Sequence, residues 1–282
     1  MVGLLVGMVL NMILDPIFIL NLGLGIEGAA YASLVGQLVG TMALYAETRH
    51  DGNVRIKLKE ASLDAEHLKS ILAGGAPNFC RQGISSVSSL LLNQVAGVFG
   101  VHAIAAMTIA TRVVYIAYAL AIRFGQGFQP ICAINYGAGN IERIKKAFRM
   151  TLLTISVFLT VTAGALVYWG TGLVGHFTTE PQVAELAVKI VRACCLVLPF
   201  MGYYILIGML LQNIGKFGLA TSVTTLENGF CFIPVLLIGC RVWGLDGLVF
   251  SKPVASILSL IISGGIGTIA WRKYLISKNN QC

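Results

Sequence analysis

The sequence predicts an all-α integral membrane protein folded as a helical bundle, and three observations carry that prediction. Of 282 residues, 56% are hydrophobic and only 11% charged, where soluble domains carry about a quarter charged. Mean hydropathy is +0.81. Apolar segments recur along the whole chain at close to the ~20 residues that cross a bilayer. The 32 glycines fit the same picture, because small residues let helices approach closely in lipid. Membrane lipid is therefore the first expected partner.

Eight spans are expected, at roughly 2–20, 28–46, 70–99, 103–124, 150–169, 190–211, 217–239 and 247–271. An even number places both ends on one side. The loops of that side hold thirteen basic residues, from Arg49 and Arg55 through Arg143, Lys145 and Lys146 to Lys216, Arg272 and Lys278. The other side offers three, Lys189, Arg192 and Arg241. The positive-inside rule then puts both termini in the cytoplasm. It also accounts for the net charge of +8, so no nucleic-acid partner is implied. Met1 runs directly into an apolar segment, and no cleaved leader is expected.

The first two spans form a hairpin from Asn11 to Gln37, with Asp15-Pro16 inside it and a turn at Gly25-Ile26-Glu27-Gly28. A second such hairpin turns at Gly244-Leu245-Asp246-Gly247, an offset of 219 positions, with Asn228 near the place of Asn11. Repeated hairpins imply repeated lobes. The second is preceded by four further spans, whereas the first begins at Met1, so the opening helices of a first lobe are expected to be missing. The organisation that follows is 1–46 for the end of the first lobe, 47–69 for a cytoplasmic linker, 70–271 for a six-helix second lobe and 272–282 for a tail. Within the linker, Ser62 with Asp64 and Glu66 suits the capped start of a short amphipathic helix.

Polar residues inside spans are expensive and mark function. Gln82, Ser86, Ser89 and Asn93 share one helical face over three turns and are expected to line a cavity. Arg112 and Glu227 fall near mid-span, each needing a partner or water, and both are assigned to the cavity; pairing of the two is one possibility, substrate contact the other. Arg81 and Arg123 lie near enough to span ends to snorkel. The glycine-rich run 125–139 lacks the strand and the Gly-Lys-Ser/Thr of a phosphate loop; bending or ending of the fourth helix is expected there, with Asn140 capping the next. Seven cysteines show no Cys-x-x-Cys spacing and the four histidines are scattered, so neither a disulfide framework nor a metal site is expected. No clustered aspartates or paired acid and base point to an intramembrane enzyme, and no catalytic residue is assigned.

Asn11-xxx-Asp15-Pro16, Gly25-Ile-Glu-Gly-Ala-Ala-Tyr-Ala-Ser33, Pro77 with Arg81-Gln82-Gly83, GQGFQP at 125–130 and NYGAGN at 135–140, in this order, resemble the multidrug and toxic compound extrusion (MATE) transporters. The resemblance implies a two-lobe bundle in which the first two spans here are the family's fifth and sixth helices and the other six its second lobe. It implies antiport of organic, drug-like compounds out of the cell across the inner membrane, driven by a proton or sodium gradient, with no cofactor beyond the transported ion. It further implies a cation site of Asn11, Asp15 and Ser33, whose fourth member lies on an absent first-lobe helix, so that a first-lobe fragment becomes an expected partner. Family members with acids on the seventh and tenth helices are matched here by Ser85 and by Tyr203 and Tyr204, and a second-lobe carboxylate site is not expected. A lipid-linked precursor flippase of the same superfamily and a non-functional fragment are the alternatives.

Overall fold

The computed structural model describes residues 2–47 and 64–276, and divides into two compact units, Met1–Asp64 and Ala65–Cys282. Every regular element among the described residues is helical, as lipid demands of a spanning backbone that must satisfy its own hydrogen bonds. The expected linker and its helix start at Ser62 lie outside the described residues.

The first unit is a helical hairpin. Its first helix, α1 (Val2–Pro16), passes into a π turn at Ile17–Asn21, and α2 (Gly25–Glu47) returns. Pro16 has no N–H to continue the α pattern, and the wider turn follows it directly. The reversal turns on Gly25, whose φ of 52° is left-handed and costs an L-residue strain. Tight packing of the pair comes from glycine: a Cβ on Gly7 would stand 2.7 Å from the Gly36 carbonyl oxygen and 3.0 Å from the Gly40 Cα.

The second unit contains α3 (Ala65–Val98), α4 (Val101–Gly137) and α5 (Ile141–Gly175), then α6 (Pro181–Cys195) and α7 (Met201–Asn213), α8 (Phe217–Thr225), α9 (Phe232–Trp243) and α10 (Leu245–Ala270). Two pairs of these are interrupted rods. α6 and α7 meet at a 41° bend across a 3-10 turn at Leu198–Phe200, where Pro199 removes a donor. α8 and α9 are joined by a π turn at Leu226–Phe230.

The expected spans thus correspond to eight helical rods, with three differences. The fourth does not end at Gly125–Pro130: α4 runs through Pro130 to Gly137, since a helix in contact with neighbours tolerates one lost donor. No separate amphipathic helix precedes the third span among the described residues; Glu66 lies in the first turn of a helix continuous from Ala65 to Val98. By length and hydropathy alone, five rods suffice to cross a membrane, or six if the bent pair counts as one. α1 is too short and α3 too polar to qualify, and the polarity of α3 belongs to its site.

Candidate functional site

Each unit is built around a hairpin, and each brings polar side chains together, on an exposed flank in the first and inside the bundle in the second. In the first unit, Asn11 on α1 donates its amide to the Ser33 hydroxyl of α2 at 3.4 Å. The two residues line a groove of about 400 Å³ together with Gln37 and Thr41. Asp15 lies one turn further along α1 and does not line that groove. Its Oδ1 is enclosed without a hydrogen-bond partner, a costly state for a carboxylate oxygen that the fold would not carry without compensation. The structure therefore joins Asn11 to Ser33 and leaves Asp15 beside them.

The second unit carries two chambers stacked along its bundle. One, of about 230 Å³, is lined from α3 by Ser85, Ser88 and Ser89 and from α4 by Met107, Thr111 and Tyr115. The other, of about 150 Å³, is lined by Pro77, Asn78 and Arg81 from α3 and by Gln126 and Gln129 from α4. The antiparallel numbering of α3 and α4 sets the first toward their Val98–Val101 connection and the second toward the opposite end. Two residues line both chambers, Glu227 and Tyr118. They form the partition between them.

Glu227 sits in the π turn after α8 and is only 5% exposed. The wider turn displaces a spanning backbone locally and leaves carbonyls to be satisfied from outside; the Ser88 hydroxyl of α3 donates to the Asn228 carbonyl. Tyr204 of α7 is buried beside Glu227 and Ser256, and its hydroxyl meets neither in full hydrogen-bond geometry. The Ser256 hydroxyl is likewise buried and unbonded. Arg81 donates to Asn78 at 3.0 Å and also reaches Tyr118.

Sequence reasoning missed Lys252. It is a lone ammonium inside the last apolar segment, and that was a sufficient signal. Lys252 lines the same chamber as Glu227, donates to the Asn228 side-chain oxygen at 2.9 Å and stands 4.6 Å from the centre of the Phe232 ring. Among the described residues the ion pairs are His102–Glu180, Lys145–Glu142 and Lys189–Asp246, so Glu227 is ion-paired with neither Lys252 nor Arg112. Arg112 is exposed on α4 and lines neither chamber.

Of the polar stripe on α3, only Ser89 lines a chamber. Gln82, Ser86 and Asn93 lie on the exposed flank of the helix, and the Ser86 and Ser89 hydroxyls donate back to the carbonyls of Gln82 and Ser85 at 3.1 and 2.9 Å. The buried face is one step round, at Pro77, Ser88, Leu92 and Ala96. Ser85 and Tyr204, which bear no acid, line the first and second chambers respectively, while Glu227 supplies a carboxylate to both. Glu227, assigned to the cavity from the sequence, thus brings a carboxylate into the second unit from the π turn between α8 and α9.

The fold has counterparts. Multidrug export protein MepA of Staphylococcus aureus is 29% identical over 259 residues, covering 92% of this chain. MepA of Staphylococcus haemolyticus is 27% identical over 256 residues, covering 90%. The chain spans 57% and 56% of the lengths of these relatives. Among solved structures, the Vibrio cholerae MATE transporter VcmN superposes with a TM-score of 0.85 at 24% identity, over 95% of this chain and 61% of that one, which shows a shared multi-pass membrane fold. The MatE family model matches residues 77–238, more than half of the sequence and every residue that lines the two chambers except Lys252 and Ser256, and the chain belongs to that family.

Proposed function

We propose that the protein works in cation-coupled export of small organic compounds, by proton or sodium antiport across the cell inner membrane, with both termini cytoplasmic. The observation that carries this reading is the partition in the second unit. Two chambers lie end to end within one helical bundle and meet at a buried carboxylate and a phenol, an arrangement suited to a ligand path that is open to one side at a time. On the orientation set by thirteen basic residues against three, the Lys252 chamber faces outward and the Arg81 chamber inward. The first hairpin supplies the coupling ion site, with Asn11 and Ser33 in contact and Asp15 as the group that exchanges a proton or holds sodium. No catalytic chemistry and no cofactor are required. The name of the Staphylococcus relatives, multidrug export protein, supports the direction of transport and the breadth of substrates.

Alternating access needs two lobes that rock about a shared site, and the chain covers 57% of the length of the S. aureus relative. The test is therefore made with the chain alone and with a first-lobe fragment supplied in trans. Everted vesicles are incubated with a fluorescent organic cation in the medium and a proton or sodium gradient is imposed. Gradient-dependent accumulation in the co-expressed form, collapsing with an ionophore, is the expected result. Absence of gradient-driven movement in both forms would sink the reading.

A further inference from the structure

We propose that the Lys252 chamber of the second unit binds small zwitterionic compounds, with the ligand's ammonium on Glu227 and its carboxylate on Lys252. This deepens the export reading by naming a ligand class for one of its chambers. A carboxylate and an ammonium that share a chamber of about 230 Å³ attract strongly when water is scarce and would close on each other if nothing held them apart. Here they stay apart. Lys252 is held by the Asn228 side-chain oxygen at 2.9 Å and by the Phe232 ring, while the Glu227 backbone lies in the π turn. Cys194 lines the same chamber as both charges.

That space suits a dipolar guest. A simple cation near Glu227 would also meet the fixed ammonium of Lys252, and a simple anion near Lys252 would meet Glu227, so either ion gains from one charge and loses to the other. A molecule carrying both signs gains from each. The Ser256 hydroxyl, 3% exposed and unbonded, offers a further hydrogen bond, and Met107, Tyr115, Ile190 and Met201 supply an apolar wall for the ligand's body.

Three probes of one shape decide it: L-phenylalanine, phenethylamine, which lacks the carboxylate, and 3-phenylpropionate, which lacks the ammonium. Binding to the full chain is measured in detergent by equilibrium dialysis, with no gradient. L-phenylalanine is expected to bind at least about tenfold more tightly than either analogue. Lys252→Met should abolish its advantage over phenethylamine, and Glu227→Gln its advantage over 3-phenylpropionate. Wild-type ranking alone suffices if either variant fails to fold. Equal or tighter binding of phenethylamine, or no binding of any probe, overturns the proposal and leaves export of cations standing. Zwitterion binding with no export in vesicles would instead remove the transport reading and keep the chamber.

Discussion

In the first hairpin the Asn11 amide meets the Ser33 hydroxyl at 3.4 Å; in the second the Asn228 amide meets the Lys252 ammonium at 2.9 Å. Ser33 and Lys252 hold the same place, since both stand eight residues after the glycine that opens the turn, Gly25 or Gly244. Each of those glycines has a positive φ, 52° and 56°. Each hairpin also packs glycine on backbone, Gly7 against Gly36 in one and Gly247 against Gly239 in the other. What differs is where the α pattern widens. The π turn lies close to the reversal in the first, at Ile17–Asn21, and in mid-rod in the second, at Leu226–Phe230. A mid-rod π turn pushes Glu227 into the bundle, and an ammonium stands across from it. One frame thus carries two polar sets: an amide and a hydroxyl in contact with an acid one turn away, and an acid that shares its chamber with a tethered ammonium.

The frame itself gives the largest expected effect. A Cβ on Gly247 would collide with the Gly239 carbonyl group, and neither backbone segment can yield without separating α9 from α10. Gly247→Leu should cost well beyond the ~1–3 kcal/mol of ordinary overpacking and abolish the monodisperse peak in detergent gel filtration. Gly83→Leu, at a site with nothing within 4 Å, should elute as wild type. Identical elution of both variants would show that the close approach does not set the hairpin.

Next in size is the acid of the first hairpin, Asp15. With a first-lobe fragment present, Asp15→Asn should remove the gradient dependence of transport while substrate binding persists, because the amide keeps the shape and cannot exchange a proton or neutralise sodium. The measurement is uptake into vesicles across a series of pH and sodium gradients. Wild-type rates with unchanged pH and sodium dependence would make Asp15 a residue of the Pro16 bend and move coupling elsewhere.

Much of this was legible in the sequence for physical reasons. Spans are long and their apolar content is high, so the rods at 28–46 and 217–239 fall within a few residues of α2 and of the α8–α9 pair. The matching hairpins were readable from Gly25 and Gly244. The ends of α3 and α4 are not, because Pro130 reads as a terminator, whereas packing against neighbouring helices carries α4 seven residues further, to Gly137. The partition was half legible. Glu227 stood out as a mid-span acid, but a π turn has no sequence signature, and the turn decides that Glu227 faces both chambers and not Arg112. Lys252 was readable by the same criterion as Glu227, a charge within an apolar run.

The smallest effect concerns the faces of α3, and it sharpens the contrast between a chamber inside the second unit and the flank outside it. Ser85 and Ser89 line the Lys252 chamber, and Ser86 lies on the exposed polar flank with Gln82 and Asn93. Val87, 51% exposed, lies off that polar stripe and serves as the reference expected to face lipid. Cysteines introduced one at a time, in a background with Cys194→Ser because Cys194 also lines the chamber, should report water by their rate with a small charged methanethiosulfonate. Thiolate forms only where water reaches, so a cysteine at 85 or 89 should react severalfold faster than one at 87. A cysteine at 86 tests the stripe. If Gln82, Ser86 and Asn93 border an aqueous cavity of the complete transporter, 86 reacts as fast as 89; if the flank packs on a helix or on lipid, it falls to the rate at 87. L-phenylalanine should slow the reaction at 85 and 89 and leave 86 unchanged, since only the first two share a chamber with Glu227 and Lys252. Equal protection at all three positions would mean that chamber and flank are one continuous space.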